Sequence, residues 1–482
     1  MKAVILAAGR GERLQSKKPK SLTHICGLTL LERSILTAKK AHIEDFVIVV
    51  GYRGDAVQYY INKKYKDIRI QWVVNEDWHK ENGYSLLKTR PYVDDPFILL
   101  MGDHILQPGF LENFIQATVH PLLSPLPSRE RKNGGSKADN RDPDEVVLAI
   151  DSKMSSIFDL EDASKVDQED FKIKNTGKEI EKYNAIDTGV FYCTPFIFKV
   201  LGYLKDKRDF SLSLINTVKY LAELRKIRCY DIGAFEWQDV DTPSSLKHGE
   251  KLLLKWCRKP TDGIISKNLN RPISLWISRL LSYLPITPLY VSLCGLVVGL
   301  FSCACALSGD FLKAFFFFQL ASVLDGCDGE VAKLKFEQSE KGAWVDTLSD
   351  NVVYVLFVLS FGIGLSSYYH SSYYLFLSSI GFFFLVIALL SMYFYLKKNK
   401  SHGTLVLIER AVFNLGRQKK VFLSFLPRYF SFVVKRDFYA FSFFILALFK
   451  QWLPIFYLLI AGCFVVCLYS LVLLRKYEAQ TV

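Results

Sequence analysis

The sequence predicts an α/β doubly wound (Rossmann-like) domain followed by an all-α, six-helix transmembrane domain. Three observations carry this expectation. Short apolar runs alternate with helical segments through residues 1 to about 120, the pattern of a mostly parallel sheet wound with helices. Beyond about residue 285 the apolar runs lengthen sharply, toward the length that crosses a bilayer. Within those runs four aspartates recur at helical spacing, and at about 2.5 to 3.5 kcal/mol for each ionised side chain at mid-bilayer something must neutralise them. The 482 residues are expected to divide into a soluble head at 1–258, an amphipathic connector at 259–285 and a membrane domain at 286–482.

The head opens with an apolar run, Ala3 to Ala8, that ends in Gly9-Arg10-Gly11-Glu12-Arg13-Leu14. A strand that feeds a glycine turn and then a helix presents backbone N–H groups to phosphate. Lys17-Lys18-Pro19-Lys20 follows, then a second buried strand from Val47 to Tyr52, Asn75, and Asn82-Gly83-Tyr84-Ser85. Leu99 to His104, Asp187 to Phe191 and Trp237 to Pro243 complete the series. In this order the pieces resemble the sugar-phosphate nucleotidyltransferase family, whose fingerprint LxAGxGxR(x)nKPK matches their start. The resemblance implies that Ala8, Gly9, Gly11, Arg13, Lys20, Asn75, Ser85 and Asp103 meet a nucleoside triphosphate. Lys20 and Arg13 would be catalytic, neutralising charge that develops at the α-phosphate, and Asp103 and Asp241 would hold Mg²⁺. Residues 171–193 would close the sugar-phosphate pocket, with Lys174, Lys178 and Asp187 as contacts. Lys17 and Lys18 read as solvated charges, and residues 121–144 as a mobile loop rich in Pro, Ser, Gly, Lys and Asp.

Residues 262–284 mix Ile and Leu with Lys267, Arg271 and Arg279 and read as an amphipathic helix lying in the membrane interface. Pro285 and Pro288 mark the turn into six apolar segments, at about 289–307, 311–324, 343–363, 373–396, 438–450 and 453–474. The 364–372 loop has no Lys or Arg, whereas the 397–436 loop is rich in both, so the head and both termini are expected on the cytoplasmic side. The same placement ascribes much of the net charge of +13 to the membrane surface and argues against nucleic acid as a partner. Met1 to Leu6 reads as a strand, so no signal peptide is expected. The ten cysteines form no CxxC pair and read as packing residues.

The aspartates stand in Asp325-Gly326-Cys327-Asp328-Gly329, followed by Ala332, Lys333, Gly342, Asp346 and Asp350. Each pair, at i and i+3 or i and i+4, shares one helix face, and the polar stretch from Lys335 to Lys341 would turn the two faces together. Four hard oxygen donors suit one or two divalent cations, Mg²⁺ or Mn²⁺. Gly329, Ala332 and Gly342 lack bulk, which would allow close helix approach and let a ligand reach the backbone. The spacing resembles the signature of the CDP-alcohol phosphotransferase family, with one departure: Lys333 stands where the family has Arg, keeping the charge but not the bidentate fork. The resemblance implies metal binding by all four aspartates and a catalytic role for Asp350 as the base that activates the acceptor hydroxyl. Gly329, Ala332, Lys333 and Gly342 would line the nucleotide pocket, and Lys435, Arg436 and Arg271 are candidates for an acceptor phosphate.

The order of the two parts, Arg271-Pro272-Ile273-Ser274, Tyr183 to Gly189, and Lys435-Arg436-Asp437 together resemble bifunctional enzymes that join a CTP:inositol-1-phosphate cytidylyltransferase to a CDP-inositol:inositol-1-phosphate transferase. That likeness implies CTP, inositol 1-phosphate and CDP-inositol as substrates, Mg²⁺ in both parts with Mn²⁺ as the substitute, and a homodimer formed through the membrane domain. The alternative keeps the donor and changes the acceptor to a lipid alcohol. A transporter with a regulatory head would spread charge through several spans, whereas here the acidic residues cluster at one end.

Overall fold

The computed structural model describes residues 1–119, 144–154, 157–207, 211–260, 262–398 and 436–481. The chain forms two compact units, Met1–Trp256 and Cys257–Val482. The loop expected at 121–144, the cytoplasmic crossing expected at 401–434 and Lys435 lie outside the described residues.

In the first unit Lys2–Ala7 forms β1 because its alternate side chains enter two different cores. Ala3, Ile5 and Ala7 join Ile48 and Leu100 on one face, while Val4 and Leu6 join Val49 and Leu99 on the other. Burial on both faces is what makes such a strand read as an unbroken apolar run. A short hairpin, β2 (His24–Ile25) and β3 (Leu28–Thr29), leads into α1 (Leu30–Lys40). Thr29 starts that helix in a capping box with Glu32. Then come β4 (Asp45–Val50), α2 (Gly54–Lys64), β5 (Arg69–Val74), α3 (Asn82–Leu87), β6 (Phe97–Met101), β7 (His104–Leu106) and α4 (Phe110–Val119). The second half holds β8 (Val146–Asp151), β9 (Lys165–Glu169), β10 (Lys172–Gly177), β11 (Ala185–Cys193), α5 (Phe196–Asp206), α6 (Leu214–Glu223), β12 (Ile227–Asp231), β13 (Trp237–Asp239) and α7 (Pro243–Cys257).

Nine of these strands form one sheet in the order β5-β4-β1-β6-β11-β8-β12-β10-β9. The first four are mutually parallel, and β11 runs antiparallel to both β6 and β8. Leu6 pairs with Met101, so the carboxyl ends of β1 and β6 lie side by side and bring the glycine loop beside Asp103. Ligands of open α/β sheets bind at such carboxyl ends.

The second unit begins with a π-helical turn, Ser266–Asn270, that runs into α8 (Arg271–Ser282). This stretch, expected to be an amphipathic connector in the interface, packs onto its own unit with an unusual polarity. Arg271, Ser274, Ser278 and Ser282 are buried, while Ile273, Trp276 and Leu280 are exposed. The reason is Glu330, a fully buried carboxylate that accepts from Arg271 Nη1 at 2.6 Å and from the Ser274 and Ser278 hydroxyls at 2.7 Å each. Glu330→Ala strands the Arg271 guanidinium with Asp262 alone; it is expected to cost about 3–5 kcal/mol of the second unit's stability, read by thermal unfolding in detergent.

Among the described residues six helices follow, where the six apolar segments were expected: α9 (Pro288–Leu307), α10 (Phe311–Lys335), α11 (Glu340–Tyr368), α12 (Tyr373–Lys398), α13 (Arg436–Leu448) and α14 (Trp452–Thr481). Among the described residues, α9, α11, α12 and α14 are long and apolar enough to cross a membrane. The C-terminal half of α10 carries Asp325, Asp328, Glu330, Lys333 and Lys335, and α13 has 13 residues. The small residues that let helices close up are Gly299, against Val353, and Gly364, against the Ala306 carbonyl.

Candidate active sites

In the first unit the glycine loop is shaped around a lysine. Gly11 has φ +72°, and a Cβ built there would lie 2.6 Å from Cβ of Lys20. Gly11→Ala is therefore expected to lower thermal stability by about 1–2 kcal/mol, through left-handed strain, and to reduce nucleotidyl transfer by displacing Lys20. The Lys20 ammonium donates to both Asp103 and Asp241, and the Arg13 guanidinium donates to Asp241 and Asp162. Burial opposes the charge on Lys20, but the two carboxylates outweigh it and raise its pKa. For Asp103 burial works upward, and Lys20 and His104 pull the group below its usual range. Because Asp103 and Asp241 meet one ammonium, their hard oxygens converge on a point where a divalent cation fits.

Beside this cluster lies a cavity of about 350 Å³ lined by Asp103, His104, Asp187, Trp237, Asp239 and Asp241 among others. Burial raises Asp187 to about 6, even though its Oδ1 accepts the Gly189 N–H at 2.7 Å. Burial also raises Asp239. His104 donates from Nδ1 to the Thr188 carbonyl at 2.8 Å, which leaves Nε2 at 3.5 Å from Asp103.

Of the other residues expected to bind nucleotide here, Ala8 is buried with its carbonyl on the Tyr52 N–H, and Gly9 faces open space. Asn75 and Ser85 are buried and bonded to each other at 2.8 Å, with the Asn75 Oδ1 taken by the Asp77 N–H. Lys178 reaches the cluster through Asp162 at 2.7 Å, whereas Lys174 is paired with Glu169 on the surface. Sequence reading missed Asp162, which sits in no motif, and gave His104 no role although it directly follows Asp103.

In the second unit Asp325 and Asp328 lie on α10, and Asp346 and Asp350 on α11. Carboxylate oxygens of Asp325, Asp346 and Asp350 lie within 4.8 Å of one another. Asp328 accepts from the Ser292 hydroxyl of α9 at 2.5 Å. The Arg436 guanidinium pairs with Asp350 and stands 3.5 Å from Asp325. A donor set made only of carboxylate oxygens fits a hard divalent ion.

The Arg271 fork, expected to meet a phosphate, is paired with Glu330 at 2.6 Å and with Asp262 at 2.8 and 2.9 Å, because a buried guanidinium must be paired. Lys333 gives its ammonium to the Cys257 carbonyl at 2.8 Å. Among the described residues no atom lies within 4 Å of a Cβ built on Gly329, and one built on Gly342 meets the Ser339 hydroxyl. Open space at Gly329, with half-buried Ala332 one turn on, leaves room for a ligand beside Asp328. Ser292, Glu330 and Asp437 were given no role by the sequence; Ser292 stands outside every motif, Glu330 fills an unassigned position between Gly329 and Ala332, and Asp437 ends a motif.

Comparison with known proteins matches residues 3–133 to the MobA-like NTP transferase domain and residues 285–466 to the CDP-alcohol phosphatidyltransferase family. The chain is 32% identical over 356 residues to a bifunctional IPC transferase and DIPP synthase of Aquifex aeolicus, covering 73% of this chain and 74% of that one. The protein of the same description from Rubrobacter xylanophilus is 31% identical over 366 residues, 75% and 77% of the two chains. Among solved structures, the inositol-1-phosphate CTP transferase from T. maritima matches 52% of this chain and 96% of its own, at 24% identity and a TM-score of 0.42. With both catalytic parts present in one chain, this protein belongs to the family of bifunctional IPC transferases and DIPP synthases, transferases with a nucleotidyltransferase domain and a CDP-alcohol phosphotransferase domain.

Proposed function

We propose that residues 1–258 make CDP-inositol from CTP and inositol 1-phosphate, and that residues 286–482 pass its phospho-inositol group to a second inositol 1-phosphate with release of CMP. The observation that carries the second step is the convergence of Asp325, Asp346 and Asp350, with Arg436 beside Asp325 and Asp350. An arginine that holds the acceptor's phosphate there presents the acceptor hydroxyl to Asp350.

In the first step a phosphate oxygen of inositol 1-phosphate attacks the α-phosphorus of CTP, and the bond to pyrophosphate breaks. Gly9 and Gly11 let backbone approach the triphosphate, and Lys20 and Arg13 face the charge that grows in the transition state. Asp187 and its neighbours offer carboxylate acceptors to the hydroxyls of a polyol in the adjoining cavity. In the second step the acceptor oxygen attacks the inositol-bearing phosphorus of CDP-inositol, Asp350 takes its proton, and the bond to CMP breaks. Asp103 and Asp241 would hold Mg²⁺ in one site and Asp325, Asp328, Asp346 and Asp350 in the other, where it would supply charge neutralisation of the diphosphate and leaving group. Mn²⁺ would substitute in both sites.

The six helices α9 to α14 would be six spans, with the head and both termini cytoplasmic and Lys435 beside Arg436 at the inner face. The exposed side chains of Ile273, Trp276 and Leu280 would rest in the bilayer interface, and the membrane helices would pair two copies of the chain.

The test is the purified chain in detergent with CTP, Mg²⁺ and labelled inositol 1-phosphate. CDP-inositol, CMP and a water-soluble phosphodiester of two inositol phosphates are expected. Pyrophosphate without CMP would confine activity to the head, and label extracted into organic solvent from added lipid would make the acceptor a lipid alcohol.

A further inference from the structure

The first turn of α13 is fastened by the residue that follows Arg436. Asp437 Oδ2 accepts the backbone N–H of Ser266 at 2.7 Å. The Gly263 backbone comes so near that a Cβ there would overlap the same carboxylate. Ser266 N–H belongs to the opening turn of the helix that continues into α8, where N–H groups lack intrahelical partners and favour an anion. That helix is fixed in turn to α10 by Arg271, Ser274 and Ser278 on Glu330. A polar chain therefore runs from α10 through α8 and residues 263–266 to Asp437, and returns through Arg436 to Asp325 and Asp350.

We propose that Asp437 is a positioning residue for the acceptor: by anchoring the first turn of α13 on the 263–266 backbone, it holds the Arg436 guanidinium beside Asp350, where it receives the phosphate of an inositol phosphate. The inference rests on the proposed acceptor role of Arg436. A guanidinium on a long flexible stem is placed by where its backbone sits, and a displacement of about 1 Å at a reacting centre costs up to about 10²-fold. Gly263 is part of the device, because its missing side chain is the space the carboxylate fills.

The experiment measures the second step alone, on the full chain in detergent with added CDP-inositol and inositol 1-phosphate. Asp437→Ala is expected to raise KM for inositol 1-phosphate about tenfold, with KM for CDP-inositol and pyrophosphate release from CTP unchanged. Asp437→Asn, whose amide oxygen still accepts the Ser266 N–H, is expected to stay within about twofold of the parent, and Gly263→Ala to raise the same KM by crowding the carboxylate. An equal rise in both KM values, a loss of kcat alone, or an Asn variant as poor as Ala overturns the inference in favour of a general structural role. Should Asp437→Ala not fold, the other two variants decide: acceptor KM raised by Gly263→Ala and unchanged by Asp437→Asn supports it, and any other pattern overturns it. Arg436→Gln separates the two readings. If it raises acceptor KM and Asp437→Ala does not, only the positioning inference falls; if it leaves acceptor KM unchanged, the acceptor role falls and takes the inference with it.

Discussion

Asp350→Asn is expected to slow CMP release from CDP-inositol by about 10³-fold or more while leaving pyrophosphate release from CTP at its parent rate. The substitution keeps the shape of the side chain, so α11 and its packing stand. It removes a carboxylate able to take the acceptor's proton, and a general base contributes about 10²- to 10⁴-fold. It also removes the partner of Arg436, so the guanidinium loses the charge that holds it at the reacting centre. Coupled and separated assays on one preparation read the result. CMP release within about tenfold of the parent would show that Asp350 is not the base, whereas loss of both activities would show that the substitution damages the whole chain.

Lys20→Met is the mirror experiment and is expected to reduce CDP-inositol formation by about 10²- to 10³-fold, the size found when one preorganised charge-stabilising group is lost. Its effect on the second step, started from added CDP-inositol, is expected to be nil. Lys20 is a single ammonium shared by Asp103 and Asp241, with its side chain 12% exposed. Without it Asp103 loses its ammonium and Asp241 keeps only Arg13 as a cationic partner, so the triphosphate meets one positive charge fewer. Supplying CDP-inositol bypasses that damage only if the two chemistries occupy separate sites. A variant that loses both steps would argue that CDP-inositol reaches the second site solely from the first.

What the residues carry in their own order is local. The run from Ala3 to Ala7 is a strand because both its faces are buried, a property written in its own residues, and the glycine turn follows because Gly11 adopts φ +72°. The spacing of Asp325 with Asp328, and of Asp346 with Asp350, fixes which side chains share a helix face whatever those helices touch. Period, turn chemistry and motif order depend on near neighbours alone, so the two catalytic parts and their chain order were legible from end to end.

Which charge meets which was not legible. Arg13 finds Asp162 across 149 positions, Asp437 finds the Ser266 N–H across 171, and Arg271 spends its fork on Glu330 in place of the phosphate expected for it. A desolvated charge takes the opposite charge or open N–H that packing brings within reach, because leaving it unpaired costs more than almost any local preference can offset. Sequence therefore determined the chemical inventory of both sites. Only the tertiary fold decided that Glu330 would draw serines inward on α8, that Gly329 would open onto space, and that Arg436 would stand on Asp350.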